Sequence, residues 1–256
     1  MMFNNFRTIK IHTDYHIAHL KLNRLNKLNA INSVMLQELS KAIDNVGKNK
    51  EIKCLIISGE GKKAFSAGAD LKELQKLTPK KARKLSSKGK QVFSKIENMP
   101  KQVIASINGY ALGGGLELAL ACNLRVATVD SQFGFPETKL GLIPGWGGTV
   151  RLPLIVGEKK AKQLITSGKH INAKEALKIG LVDDVFSLED FESKTKALAQ
   201  KLCDCPPLEE SPLKKTLFSN SDHEKFDKET EVFVYRFSLP ETKNMLTEVL
   251  SQRNKK

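Results

Sequence analysis

The 256-residue sequence has few cysteines, few aromatic residues and no long apolar run. Four irregularly spaced cysteines are too few for the disulfide framework of a small secreted protein. The pair Cys203 and Cys205 has no second pair to complete a zinc site. No stretch approaches the ~20 apolar residues of a membrane-spanning helix, and the N-terminus lacks the apolar segment of a signal peptide. These absences predict a soluble, reduced, cytoplasmic protein without a bound metal.

The charge of the chain is its unusual bulk property. There are 42 Lys and Arg against 28 Asp and Glu, for a formal net charge of +14, while apolar (40%) and charged (27%) contents are ordinary. Such a surplus permits nucleic acid, an acidic membrane surface or a phosphate-bearing small molecule as a partner. Charge alone does not choose among them.

The hydrophobic pattern predicts an α/β protein. Residues 7–22 alternate apolar and polar side chains, as a β-hairpin does. Asn32 or Ser33 is placed to cap a helix that continues to Gly47. Short apolar runs typical of buried strands alternate with helical segments. These runs are 52–57, 103–107 and 124–129.

Three histidines lie on the predicted hairpin, at His12, His16 and His19. A shared metal ion would require them on one face, and we expect a hairpin to scatter them. This is a further reason to expect no metal site.

The pattern becomes helical after about residue 158, and prolines interrupt it after residue 205. We therefore place a boundary near residue 200. Residues 1–200 would form a core that carries the active site. Residues 201–256 would form a helical region that packs on this core or on a neighbouring subunit.

Three glycine-bearing segments each link a predicted strand to a predicted helix. None has the G-K-[ST] of a phosphate loop or the G-x-G-x-x-G of a dinucleotide site. Glycine at a helix entrance lets a ligand oxygen approach unpaired backbone N–H groups. Two such groups would form an oxyanion hole worth ~3–4 kcal/mol per donor, with Glu117 beside it. The alternative is that the glycines only allow close packing. The segments are 64–70, 109–117 and 133–148.

The motifs in these segments resemble the crotonase (enoyl-CoA hydratase) family, in its order and spacing. They are F-S-A-G-A-D-L at 65–71, N-G-Y-A-L-G-G-G-L-E-L-A at 108–119 and Q-F-G-F-P-E-x-x-L-G-L-I-P-G-W-G-G-T at 132–149. L-N-R-x-x-x-L-N-A at 22–30 and A-x-E-A-L-K-I-G-L-V-D at 173–183 extend the resemblance to nearly the whole chain.

The resemblance implies a spiral of repeated ββα turns with a helical C-terminal region, assembled as a trimer or as two stacked trimers. It implies that Ala69 and Gly114 supply the oxyanion N–H groups, and that Glu117 and Glu137 are the two catalytic acids. It also implies an acyl-CoA substrate without a further cofactor, since coenzyme A is part of the substrate. Further contacts to substrate or water are implied at Ala67, Gly68, Asp70, Leu71 and Gly145.

Hydration of a 2-enoyl thioester to the 3-hydroxyacyl product needs a base at the water, an acid at C2 and an acceptor of enolate charge. We assign water activation to Glu117 and proton delivery to Glu137, whose apolar neighbours favour its neutral form. The alternative within the family is an isomerase that moves a 3-enoyl double bond. A non-catalytic scaffold is disfavoured because the glutamates and glycines are all present.

Over half of the net charge lies in one stretch, residues 72–101, with ten basic and two acidic residues for +8. Lys76, Lys80, Lys84 and Lys88 would form one stripe on a helix. The stretch is a solvated face, a rim that attracts the phosphates of coenzyme A, or an RNA-binding surface. We do not expect nucleic-acid binding, because few aromatic residues accompany the lysines.

Overall fold

Within residues 6–204 and 223–253, which the computed structural model describes, the strands form two sheets. The larger has the order β1-β2-β3-β5-β7-β10 and the smaller has the order β4-β6-β8-β9. The strands are β1 (Ile9–Asp14), β2 (Ile17–Leu22), β3 (Cys54–Gly59), β4 (Ala64–Ser66), β5 (Gln102–Ile107), β6 (Tyr110–Leu112), β7 (Leu124–Thr128), β8 (Gln132–Gly134), β9 (His170–Asn172) and β10 (Asp184–Phe186).

Helices follow and cover these strands. They are α1 (Ser33–Lys48), α2 (Leu71–Leu74), α3 (Pro79–Glu97), α4 (Gly114–Leu120), α5 (Gly148–Val156), α6 (Glu158–Ser167), α7 (Ala173–Lys178), α8 (Phe191–Cys203), α9 (His223–Ser238) and α10 (Pro240–Arg253). Short 3-10 turns lie at Leu25–Lys27 and Pro136–Leu140.

A ββα unit recurs along the chain. In each unit the first strand joins the large sheet and the second joins the small sheet, as in β3–β4, β5–β6 and β7–β8. Helices α2 and α3, then α4, then α5 complete the three turns. The predicted α/β class and ββα spiral are confirmed. The predicted hairpin is β1–β2, and Asn32 caps α1 by accepting the Met35 N–H at 2.9 Å.

The small sheet positions the glycine segments. Strands β4, β6 and β8 run parallel, so their carboxyl ends meet at one edge of the sheet. The chain leaves that edge at residues 67–69, 113–114 and 135–137. Residues more than 60 positions apart in sequence are thereby brought to one place.

The C-terminal helices pack on the core of the same chain. Phe233, Phe237 and Leu246 of α9 and α10 are buried in one cluster with the strands. The predicted boundary near residue 200 falls inside α8. Of the predicted region 201–256, residues 205–222 and 254–256 lie outside the described residues, and Cys205 is among them.

One expectation about the histidines is wrong. His12 and His19 are directly opposite each other on β1 and β2, and their rings stack with centroids 4.8 Å apart. Residues directly opposite each other on the two strands of a hairpin have their side chains on the same face. The expectation that the hairpin separates the histidines did not take this pairing into account. His16 lies in the turn, where its Nδ1 contacts the Glu51 carbonyl. The described residues contain no group of three side chains suited to hold a metal ion.

The basic stretch 72–101 is less uniform than the lysine spacing indicates. Lys76 lies in the turn between α2 and α3, so only the later lysines of the predicted stripe share a helix. Lys90 and Lys101 are buried. Arg83 pairs with Glu231, and Lys95 with Asp44, 2.7 Å away. The lysines at 72, 76, 80, 81 and 84 remain exposed.

The described helices and cysteines can also be compared with the sequence. No described helix combines the length and the apolar character needed to cross a bilayer. Cys54, Cys122 and Cys203 are buried free thiols.

We predict that Asn29→Ala destabilises the fold by about 2–3 kcal/mol. Asn29 is buried; its side-chain NH₂ donates to the carbonyls of Glu60 and Ala64, and its Oδ1 accepts the Arg24 N–H. Alanine would leave these buried groups without partners, at a backbone position with φ of 55°. Chemical unfolding at fixed protein concentration measures the loss. The exposed Asn26→Ala is the matched control, and equal midpoints for the two variants would contradict the prediction.

Candidate active site

One pocket of about 500 Å³ opens at the carboxyl edge of the small sheet. It is lined by most of the residues that the sequence singled out, which are Ala67, Gly68, Ala69, Leu71, Gly114, Glu117, Glu137 and Gly145. Residues from three ββα units therefore face one space. Their chemical roles stay predictions.

The backbone N–H groups of Ala69 and Gly114, both in this pocket, have no acceptor within the described residues. The flanking Gly68 carbonyl and Asp70 N–H both bond to Ile31, so the intervening Ala69 N–H faces the other way. Gly114 begins α4, where N–H groups lack intrahelical partners and the helix dipole favours negative charge. Both groups are suited to bind one developing anion.

Glycine is required where the two loops approach each other. Gly68 has φ of 94°, and a Cβ there would lie 2.8 Å from the Leu112 carbonyl oxygen and 3.3 Å from the Gly114 nitrogen. Gly113 has φ of 48°, and a Cβ there would overlap the Glu137 carboxyl group. These glycines therefore have a packing role in the structure, and their role toward a ligand stays a prediction.

Glu117 is placed by the first turn of α4 and is only 2% exposed. Its Oε1 accepts the N–H groups of Trp146 and Gly148, each at 2.7 Å. Gly148 is the first residue of α5. The carboxyl group of Glu117 thus lies against the positive end of a second helix, which favours its ionised form.

Glu137 has different surroundings. It lies in the 3-10 turn after β8, and its Oε2 is buried with no hydrogen-bond partner among the described residues. Burial raises the pKa of Glu137 to about 8. A carboxyl group in this setting is neutral at pH 7 and has a proton to give.

Burial also raises the pKa of Glu117, and the nearby carboxylates of Glu229 and Glu137 raise it further. The N–H groups of Gly148 and Trp146 oppose this rise. Two buried carboxyl groups this close do not both ionise readily. The hydrogen bonding of the two groups is unequal, since Glu117 has two N–H donors and Glu137 Oε2 has none among the described residues.

Asp70 is not in the pocket, although the resemblance placed it at the substrate. Its carboxylate caps α2 by accepting the Lys72 N–H at 3.0 Å, and it pairs with Arg24 at 2.8 Å. Both contacts anchor the loop that carries Ala69. Asp70 therefore stabilises the loop next to the pocket without lining the pocket itself.

Sequence reasoning missed residues that reach the pocket from a distance. Leu74 and Phe233 line it. Phe233 comes from α9, beyond the predicted boundary at 200. The third buried carboxyl group, Glu229, is one helical turn before Phe233 and 3% exposed. The sole sequence signal for Glu229 and Phe233 is their spacing of four residues, which places a glutamate and an aromatic side chain on one face of a helix.

The arrangement can perform acid–base chemistry on a molecule that develops negative charge on an oxygen. The described residues offer two buried carboxyl groups with unequal hydrogen bonding and two N–H donors around an apolar space.

Comparison with known proteins agrees with this geometry. A family model described as "Enoyl-CoA hydratase/isomerase" matches residues 12–254. A crotonyl-CoA hydratase of Syntrophomonas wolfei is 41% identical over 197 residues, which cover 77% of this chain and 76% of the relative. A short-chain-enoyl-CoA hydratase of Clostridium acetobutylicum is 38% identical over 192 residues, covering 75% and 74%. The crystal structure of an enoyl-CoA hydratase from Bacillus anthracis superposes with a TM-score of 0.79 at 34% identity, covering 98% of this chain and 97% of the other.

The raised pKa of Glu137 predicts a stability that falls with pH. The folded chain retains a proton on Glu137 that the unfolded chain releases above the ordinary glutamate pKa. Stability from this group is therefore fully present below that ordinary value and is lost as pH rises toward about 8. Glu137→Gln lacks this titration, so its advantage in stability over the parent chain should grow with pH, to the order of a few kcal/mol.

Melting temperatures measured from about pH 4 to about pH 8.5 test this, since this range spans the ordinary glutamate pKa of 4.5 and the raised pKa of about 8. Glu241→Gln removes an exposed carboxylate and is the control. A Glu137→Gln advantage that stays constant over the range would contradict the prediction.

Proposed function

Because the chain belongs to the enoyl-CoA hydratase/isomerase family, we propose that it is an enoyl-CoA hydratase. The reaction is the syn addition of water across the C2=C3 bond of a 2-trans-enoyl-CoA, giving the 3-hydroxyacyl-CoA. The observation that carries the proposal is the unequal pair of carboxyl groups on one pocket wall, one bonded to two N–H groups and one with an unpartnered oxygen.

The oxyanion N–H groups come first in the mechanism. The thioester oxygen accepts from the N–H groups of Ala69 and Gly114, which draws electron density from C3. As water attacks C3, charge accumulates on that oxygen as an enolate. Each fixed donor stabilises this charge by ~3–4 kcal/mol without reorganisation.

The two glutamates move the protons. Glu117 takes a proton from the attacking water, and Glu137 delivers its proton to C2. Both carboxyl groups line the same pocket, and the proposed syn addition requires water and proton to reach the same face of the double bond. Gly145 lines the same pocket and is assigned to placing the water.

Two further features belong to the proposal. The names of the relatives, a crotonyl-CoA hydratase and a short-chain-enoyl-CoA hydratase, support crotonyl-CoA as the first substrate to test. We also propose a cytoplasmic homotrimer or a dimer of trimers, whose mass light scattering measures.

We expect Glu117→Gln and Glu137→Gln each to lower kcat for crotonyl-CoA hydration by at least ~10²-fold, because each removes one proton-transfer step. The loss of absorbance of the conjugated thioester in water reports the reaction. Glu241→Gln is the charge-matched control. Near-normal hydration by Glu117→Gln would rule out the scheme. A parent chain that converts only 3-enoyl-CoA, with a gain in absorbance, would identify the isomerase instead.

The basic stretch 72–101 is proposed as a rim for the phosphates of coenzyme A, because Lys72 lies between the pocket residues Leu71 and Leu74. The double change Lys72→Ala and Lys76→Ala should raise KM for crotonyl-CoA at least about threefold and leave KM for the phosphate-free pantetheine thioester unchanged. Lys41→Ala with Lys48→Ala is the control. If the change in KM is the same for both substrates, the stretch does not bind the phosphates and is a solvated face. Retention of RNA on a filter at physiological salt would instead favour the RNA-binding surface.

A further inference from the structure

Three carboxyl groups are buried around the segment 146–149, and the mechanism uses only two of them. The third, Glu229, belongs to α9 and touches neither the pocket space nor any exposed cation. A buried carboxyl group is costly unless its contacts compensate it. The contacts of Glu229 therefore indicate what it does.

Glu229 accepts three hydrogen bonds from one short segment. Its Oε1 accepts the Gly147 N–H at 2.8 Å, and its Oε2 accepts the Thr149 N–H at 3.0 Å together with the Thr149 hydroxyl. Glu117 accepts the N–H groups of Trp146 and Gly148, which lie between these. Successive N–H groups from 146 to 149 thus point alternately to Glu117 and to Glu229.

Alternation makes the two carboxylates interdependent. A segment with adjacent glycines at 147 and 148 has few conformational restraints of its own, and Gly147 adopts φ of 105°. Turning the Gly147 or Thr149 N–H away from Glu229 would also turn the Trp146 or Gly148 N–H away from Glu117. Arg151 also restrains the segment, because its guanidinium group donates to the Trp146 carbonyl at 3.0 Å.

We propose that Glu229 is a positioning residue: it fixes segment 146–149 so that the N–H groups of Trp146 and Gly148 stay aimed at Glu117. The proposal rests on the proposed hydratase function for its kinetic consequence. Glu229 acts through the backbone and touches no substrate atom. Phe233 one turn later lines the pocket, so α9 contributes both the pocket wall and the order of the catalytic segment.

The charge of Glu229 also acts on the pocket electrostatics. Its proximity raises the pKa of both Glu117 and Glu137. Burial raises the pKa of Glu229 itself, which the bonds from Thr149 and the Lys90 ammonium oppose. The charged groups around this cluster are Glu117 of α4, Glu137 of the 3-10 turn, Lys90 of α3, Arg151 of α5 and Asp227 of α9 itself.

The first test is the kinetics of Glu229→Gln, which keeps the size of the side chain and removes its charge. We expect kcat for crotonyl-CoA to fall at least about tenfold with KM changed less than about twofold. Both limbs of the kcat–pH profile should move to lower pH, because a negative charge leaves the neighbourhood of Glu117 and Glu137. Glu224→Gln removes a charge from an exposed position of the same helix and should change neither quantity. An unaltered kcat with unmoved limbs would overturn the proposal.

A second measurement does not depend on catalysis. Amide hydrogen exchange of the peptide over residues 145–152 should be at least about tenfold faster at Gly147 and Thr149 in Glu229→Gln than in Glu224→Gln. Unchanged exchange overturns the proposal even if the parent chain proves inactive. Failure of the parent chain to hydrate any enoyl-CoA would instead refute the hydratase function and leave the exchange result to decide on Glu229.

A milder pair of variants covers the case in which Glu229→Gln does not fold. Thr149→Val removes one donor to Glu229, whereas Thr149→Ser keeps it. We expect kcat to fall about threefold or more in Thr149→Val with KM unchanged, and to remain near the parent value in Thr149→Ser. Equal activity of the two variants would overturn the proposal.

Discussion

The parallel pairing of β4, β6 and β8 is the constraint on which the site depends. Parallel neighbours end at the same edge, so three loops far apart in sequence leave the small sheet together. Each loop brings one chemical element: the Ala69 N–H, the entrance to α4 with Glu117, and the turn with Glu137. A change of register in this sheet would separate the oxyanion donors from the acids, whatever their side chains.

The arrangement buries several carboxyl groups, which is energetically unfavourable. N–H groups at helix N-termini offset part of this unfavourable free energy. Glu117 and Glu229 both accept N–H groups at the start of α5, where the helix dipole favours anions. Glu137 receives no such help at its Oε2. Backbone donors therefore oppose the rise in pKa that burial causes at Glu117 and Glu229, whereas Glu137 Oε2 has no such donor among the described residues.

Local sequence signals predict the α/β class and the three strand-to-helix segments, whereas the ββα spiral and the individual pocket residues are implied by the family resemblance. Glycines at 68 and 113, each after a short strand, mark places where backbones must approach closely, and Glu117 follows at a fixed helical spacing. Such features depend on neighbours within a few residues. Asp70 shows the limit of this approach, because its position beside Ala69 is consistent equally with a ligand contact and with the helix cap and Arg24 pair that the structure shows.

Contacts between distant segments could not be derived in this way. Gly147 and Glu229 are 82 residues apart, and nothing near either residue specifies the other. Their contact exists because α9 packs on the core through Phe233 and Phe237, which brings a polar side chain of the same face to the start of α5. A division of the chain near residue 200 therefore describes the order of its elements and not a functional unit. Phe233 of the last part lines the pocket that the first part forms, and Glu229 of the last part accepts a hydrogen bond from the segment that also contacts Glu117.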